Sequence, residues 1–339
     1  MPIKDFRYTI CPVGNSSYIA ANRIWKEDTF EKVGGRPVLL QRLPKEKWNV
    51  HFNYQDDALF REGGNIPPLW ARSYGAEVIL IGLVFLPHKS YIIVRSDSPI
   101  DHVEQLRNKK VGVPVTPHYI IDFYKATVEH AFETALSAKG LDKKEVEFVQ
   151  LDVSEEFLSM TDKHKGNLGK KDIEALDEGI VDGVFITGTL APRILGNGNY
   201  KVIYELEKDP AQVLPVNNIY PNVLTVSKKL AEENPDLVVE YVKQTLIAAE
   251  WAKTHREETL NLFTEQIHGT FGEVANVLPA DFNKHLAVNL AEEGLLALEG
   301  QLRFLYDHQY VNRIFDIAKW ADDRFLKQAQ EKLQKALDI

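Results

Sequence analysis

Tyr91-Ile92-Ile93-Val94-Arg95-Ser96-Asp97-Ser98-Pro99-Ile100 decides how this chain is divided. Its first four residues make a short strand; the polar, proline-bearing turn that follows suits a crossing between domains. A second such passage, Leu214-Pro215-Val216-Asn217-Asn218, stands just before the β-branched run Val223-Leu224-Thr225-Val226. A chain that leaves one lobe at the first and returns at the second makes residues 95–215 a lobe of their own. Residues 1–94 then join 216–339 in the other lobe. Two lobes with a double crossover are expected to leave a ligand cleft between them, faced by strand C-termini. The length of 339 residues fits about two domains.

Outward from these crossings, short β-rich runs alternate with helical patterns. Strands are expected at Tyr8-Thr9-Ile10, Val38-Leu39-Leu40, Val78 to Ile81, Val111-Gly112-Val113, Val146 to Leu151 and Val184-Phe185-Ile186. Asp122 to Lys139 carries Phe123, Val128, Phe132 and Leu136 at helical spacing and stops at Gly140. Asn234-Pro235-Asp236 opens a helix with Leu237, Val238, Tyr241, Val242 and Leu246 on one stripe. The chain from Asp281 onward suggests helices alone. The fold class expected is α/β with mostly parallel sheets.

The composition narrows the function. Lys and Arg number 40 against 49 Asp and Glu, a net charge of −9, which disfavours a nucleic-acid partner. One cysteine excludes an intramolecular disulfide and a Cys-rich metal cluster. No H-x-x-x-H, P-loop, G-x-G-x-x-G or G-x-S-x-G occurs, so no metal or nucleotide cofactor is expected. The first residues lack the apolar segment of a secretory signal, and Val78 to Leu86 is too short to span a membrane. The expected location is the cytoplasm, without membrane insertion.

Two segments can carry chemistry. Cys11 follows a strand and precedes Pro12-Val13-Gly14-Asn15-Ser16-Ser17, which leads into a helix from Tyr18 to Trp25. A thiol near a helix N-terminus is favoured as thiolate, although a lone cysteine is more often a small buried hydrophobe. The second segment runs from Val50 through His51, Arg61 and Gly63-Gly64 to Pro67-Pro68-Leu69. The glycines permit close backbone approach to a ligand, and the prolines fit the first turn of a helix whose N–H groups would face an anion. Arg61 has the fork for a two-oxygen anion, and His51 can move a proton near neutral pH. The plainer reading pairs Arg61 with Asp57 or Glu62 on a solvated surface.

Tyr8-Thr9-Ile10-Cys11-Pro12-Val13-Gly14-Asn15, His51-Phe52-Asn53-Tyr54 and Arg61-Glu62-Gly63-Gly64-Asn65-Ile66-Pro67-Pro68-Leu69 together resemble the 2′-hydroxybiphenyl-2-sulfinate desulfinases. The resemblance implies a two-lobed, periplasmic-binding-protein-like fold of type II. It also implies a cofactor-free cytoplasmic hydrolase that breaks an aryl C–S bond and releases sulfite. The catalytic cysteine, histidine and arginine would be Cys11, His51 and Arg61, with the Gly64 N–H facing the sulfinate. Thr9, Asn15, Phe52, Asp56 and Thr187 would line the substrate site. Cys11 would either attack sulfur or protonate the carbon that loses it.

The chain departs from that family in places. Thr9 replaces a serine, Asp56 replaces a glutamine and adds a negative charge near an anion, and Thr187-Gly188-Thr189 stands where the family has bulky aromatics. All five tryptophans lie outside residues 71–250. Ser98 to Val113 is also similar to sulfonate and nitrate solute-binding proteins. The alternative function is therefore a receptor for sulfonate- or taurine-type anions feeding an ABC transporter. Either way the expected partner is a small sulfinate or sulfonate anion.

Overall fold

The computed structural model of the chain describes residues 4–117, 119–153, 169–208 and 217–337. Two compact units emerge. One comprises Met1–Leu86, Asn218–Ile267 and Ala280–Ile339; the other comprises Pro87–Asn217 and His268–Pro279.

The first unit is built on a five-stranded sheet: β1 (Lys4–Ile10), β2 (Gly35–Leu39), β3 (Leu59–Gly63), β4 (Val78–Val84) and β10 (Asn222–Ser227), in the order β2-β1-β3-β10-β4. β1 runs parallel to β2 and β3, whereas β10 runs antiparallel to both β3 and β4. Register matters more than order here. Thr9 and Thr225 both stand opposite Arg61, on the two strands flanking β3. Side chains alternate along a strand, so Thr9, Cys11, Arg61, Gly63 and Thr225 share one face of the sheet. Phe60 and Glu62 take the other face.

That other face is packed by the helix Pro235–Thr254, which Asn234-Pro235 opens as its sequence indicated. Leu237, Val238, Tyr241 and Val242 are all fully buried. The Tyr241 ring stacks on Phe60 at 4.0 Å, and Phe6 meets Phe30 and Phe60 edge-on at 5.1 and 5.4 Å. Large aromatic rings at this spacing supply much of the burial that holds β1 and β3 flat against the helix.

In the second unit β5 (Ser90–Arg95) is flanked by β8 (Val184–Thr187) and β9 (Tyr200–Glu205), both antiparallel to it. β6 (Lys110–Val115) pairs in parallel with β7 (Glu147–Asp152). The helix Phe123–Ala138 is capped by Asp122, whose carboxylate accepts the Lys125 N–H at 3.1 Å, and it buries Val128, Phe132 and Leu136.

Three expectations need correction. The sheets are mixed rather than mostly parallel, because β5 and β10 run against their neighbours. The first boundary lies before Pro87, not at 94/95, because β5 is bonded along both edges to strands of the second unit. That unit also takes in His268–Pro279 from late in the chain. This segment is anchored by the Lys89 N–H on the Val277 carbonyl at 3.1 Å and by Arg193 on Glu273 at 2.9 and 3.2 Å. The expected return at 215/216 lies outside the described residues. Among the described residues, no helix is long and apolar enough to cross a membrane.

Candidate functional site

The site is assembled on the Thr9–Arg61–Thr225 face of the first unit. β1 ends at Ile10, and the Cys11 N–H continues its pairing by donating to the Glu62 carbonyl at 2.9 Å. The Cys11 carbonyl is then held from three sides, by the Val13 N–H at 2.9 Å, Asn15 Nδ2 at 3.2 Å and Gln266 Nε2 at 2.8 Å. The thiol itself remains half-buried. It occupies space that only a glycine at position 63 leaves open: a Cβ there would fall 2.1 Å from Cys11 Sγ.

His51 arrives on the short helix α2 (Val50–Asn53). Its Nε2 lies 3.4 Å from Cys11 Sγ, and its Nδ1 lies 2.9 Å from Thr9 Oγ1. The Phe52 ring meets the imidazole edge-on at 4.8 Å. Burial, reinforced by the Arg61 charge, holds the imidazole well below the usual histidine range. His51 is therefore neutral at pH 7, with one ring N–H.

Arg61 is 1% exposed, among the largest fully buried side chains of the protein. One Nη donates to the Gly64 carbonyl at 2.8 Å, and the other points at Cys11 Sγ from 3.6 Å. Its Nε is buried without a hydrogen-bond partner among the described residues. Among the described residues, no carboxylate lies within ion-pair distance of it. Asp57 pairs with Lys229 instead, at 2.7 Å, and Glu62 points to the opposite face. Tyr54, left-handed at φ 57° as α2 ends, sends its hydroxyl to Thr225 Oγ1 at 2.8 Å. Thr225 in turn donates to the Arg61 carbonyl at 3.1 Å.

Several residues expected to line the substrate site have hydrogen-bond partners within the protein. Thr9 is fully buried, and its hydroxyl sits between His51 and Gln41. Asn15 caps α1 (Ser16–Ile19) through the Tyr18 N–H at 3.1 Å and holds the Cys11 carbonyl. Asp56 is clamped by Arg7, with Nε to Oδ2 at 2.7 Å and a second contact from Nη2, so its charge is already matched. Thr187 lies in the second unit at the end of β8, 3.0 Å from Ser90 Oγ.

The helix α3 (Ile66–Ser73) does carry Pro67-Pro68 in its first turn, but that turn offers no free donor. The Ile66 N–H goes to Asn218 Oδ1 at 3.0 Å, the Leu69 N–H to the Asn65 carbonyl at 3.2 Å, and proline has no N–H. The expected anion site at that helix end is absent for this reason. Gly64 gives close approach to Asn218, whose carbonyl oxygen would be 2.6 Å from an added Cβ.

Glu62 was not singled out by the sequence. Its Oε2 accepts the Ser17 N–H at 3.0 Å, while Oε1 is buried with no hydrogen-bond partner among the described residues. Burial pushes its carboxyl up to about 7. Thr225, Gln41 and Gln266 are further parts that no motif announced, and Tyr54 stood in a quoted stretch without a role. Among the described residues, no group of three or more His, Cys, Asp or Glu could hold a metal ion.

The family described as NMT1/THI5 like matches residues 67–259. A 2′-hydroxybiphenyl-2-sulfinate desulfinase from Rhodococcus erythropolis is 26% identical over 348 residues, covering 94% of this chain and 92% of its own length. The structure of a Cys-to-Ser mutant of DSZB in complex with biphenyl-2-sulfinic acid is similar with a TM-score of 0.80 at 23% identity, over 97% of this chain and 99% of that one. The periplasmic aliphatic sulphonate binding protein SsuA from Escherichia coli is similar with a TM-score of 0.66 at 16% identity, over 94% and 92%. The fold is therefore the periplasmic-binding-protein-like α/β fold expected from the sequence.

Two substitutions test this geometry. Gly63→Ala forces Cys11 Sγ from its place, so thiol alkylation by iodoacetamide at pH 7.5 should change by about tenfold or more while circular dichroism stays native. An unaltered rate would mean the thiol is not packed against Gly63. Glu62→Gln tests the buried carboxyl. A folded-state value raised from 4.5 to about 7 gives stability that is present at low pH and lost as pH rises through that interval. Glu62 by itself should thus make a difference of about 3 kcal/mol, disfavouring the fold at pH 8.5 relative to pH 4. Urea denaturation should show Glu62→Gln removing most of that difference; parallel pH profiles would contradict it.

Proposed function

The chain belongs to the NMT1/THI5-like family, and on that footing we propose that it is a hydrolase that cleaves the C–S bond of an organic, aryl sulfinate and releases sulfite. The observation that carries this reading is Arg61: a buried guanidinium without a carboxylate partner among the described residues, beside a half-buried thiol and a neutral imidazole. A buried charge is normally paired, and an anion is what completes this one. A receptor for anions needs the guanidinium but has no use for the thiol–imidazole contact. The desulfinase relative supports the same choice.

The overall reaction is R–SO2⁻ + H2O → R–H + HSO3⁻. Arg61, joined by the Gly64 N–H, holds the sulfinate oxygens and offsets their charge. Cys11 gives its proton to the carbon that bears sulfur. The C–S electron pair stays on carbon and forms the new C–H bond, so sulfur leaves as SO2. The thiolate left on Cys11 lies between His51 Nε2 and Arg61 Nη2, at 3.4 and 3.6 Å, where N–H groups meet its negative charge. Water adds to SO2 to give HSO3⁻ and a proton, and that proton restores the thiol. No cofactor enters this balance, and a cytoplasmic location belongs to the same proposal.

The second reading is a sulfonate receptor. Its support is the fold shared with the sulphonate binding protein of Escherichia coli.

One assay separates the two. Wild-type protein offered aryl and alkyl sulfinates should release sulfite, and Cys11→Ser should lower kcat by about a thousandfold or more. Arg61→Lys, which replaces a fork by a point charge, should raise KM by about tenfold or more. Tight sulfonate or sulfinate binding with no sulfite from any of them would establish the receptor instead.

A further inference from the structure

We propose that Gln41 is a positioning residue that fixes the ring proton of His51 on Nε2, so that the imidazole donates to Cys11 Sγ; this rests on the reaction just described. A single file of polar atoms leads to the thiol. Gln41 Nε2 lies 3.0 Å from Thr9 Oγ1, Thr9 Oγ1 lies 2.9 Å from His51 Nδ1, and His51 Nε2 lies 3.4 Å from Cys11 Sγ. Thr9 is fully buried and His51 is 4% exposed, so bulk solvent does not reach the file from the side.

The direction of the file follows from counting protons. Thr9 has one hydroxyl proton and two lone pairs. Gln41 donates into one lone pair. If His51 Nδ1 also donated to Thr9, the hydroxyl proton would be buried with no acceptor, at a cost of about 1–3 kcal/mol. If Thr9 instead donates to Nδ1, every proton between the Gln41 nitrogen and the sulfur has an acceptor. The neutral ring then carries its proton on Nε2, aimed at sulfur. In that state His51 cannot take the thiol proton. It stabilises the thiolate that forms when the proton moves to carbon, which is the part the reaction asks of it.

Gln41 holds the key because its amide has two ends. Its Oε1 is buried without a hydrogen-bond partner among the described residues. Turning the amide over would bury an unpaired NH2 there, and an orphaned donor is the less tolerated of the two. It would also reverse the file: Thr9 would donate to Gln41, Nδ1–H would donate to Thr9, and Nε2 would present a lone pair to the thiol. Gln41→Glu imposes that reversed state, since a carboxylate only accepts. Gln41→Leu removes the bias and leaves both forms.

The test is 15N NMR of histidine-labelled protein at pH 7, with the His51 signals identified by their loss in His51→Asn, alongside sulfite-release kinetics. The wild type should show a protonated Nε2 and an unprotonated Nδ1. Gln41→Glu should exchange the two and lower kcat by about tenfold or more with KM little changed, and Gln41→Leu should fall between. A wild-type ring protonated on Nδ1, or ring nitrogens unmoved by Gln41→Glu, would overturn the proposal even if sulfite is released. Ring nitrogens that exchange as described in a protein that releases no sulfite would leave Gln41 its role and remove the desulfinase reading instead.

Discussion

A guanidinium charge sits inside the first unit with no carboxylate to meet it among the described residues, and the rest of the site is arranged around that fact. Isolated charges are expelled from protein interiors unless something pairs with them. Arg61 stays because its strand is central, its Nη groups have a carbonyl and a sulfur to face, and Thr225 and Tyr54 fix its backbone. What it lacks, among the described residues, is a permanent anion. A sulfinate brings two oxygens and one negative charge, which is the complement a guanidinium fork selects.

The same strand shows how closely opposed demands are placed. Arg61 and Glu62 are adjacent, yet strand alternation sends one to the thiol and the other beneath α1, against the helix-packed face. Glu62 is raised to about 7 by burial. Its backbone carbonyl anchors Cys11, and its carboxyl anchors Ser17 two residues beyond the Asn15 cap. The loop that presents the thiol is thus tied by main-chain and side-chain bonds from β3, α1 and Gln266. In the proposed reaction, such fixed geometry lets hydrogen-bond donors act without reorganising as charge develops on sulfur.

Parts of this were legible in the sequence for definite reasons. The helix from Pro235 announces itself by its cap and stripe, and β1, β4 and β10 by β-branched runs. β3 was not legible, because buried Arg61 and Glu62 interrupt the apolar pattern by which strands are recognised. Local rules are commonly broken where a site is built, and the proposed site lies at that point. The approach of Cys11, His51 and Arg61 has no local signature; resemblance, not spacing, suggested it. Gln266 is 255 residues from Cys11 along the chain, and nothing in its helix marks it as a loop anchor. The anion site expected at Pro67-Pro68 failed on elementary grounds, since the residues that suit a first turn are also those without an N–H. Asp56 looked like a charge beside an anion because its partner, Arg7, lies 49 residues away.

What matters most is whether a sulfinate held by Arg61 gains a proton on carbon as SO2 departs. Turnover of an aryl sulfinate in D2O, followed by mass spectrometry and NMR of the organic product, tests this directly. The account predicts an arene carrying one deuterium at the carbon that bore sulfur, in equal amount to the sulfite formed. Recovery of undeuterated sulfinate, bound in stoichiometric amount and released unchanged, would contradict it.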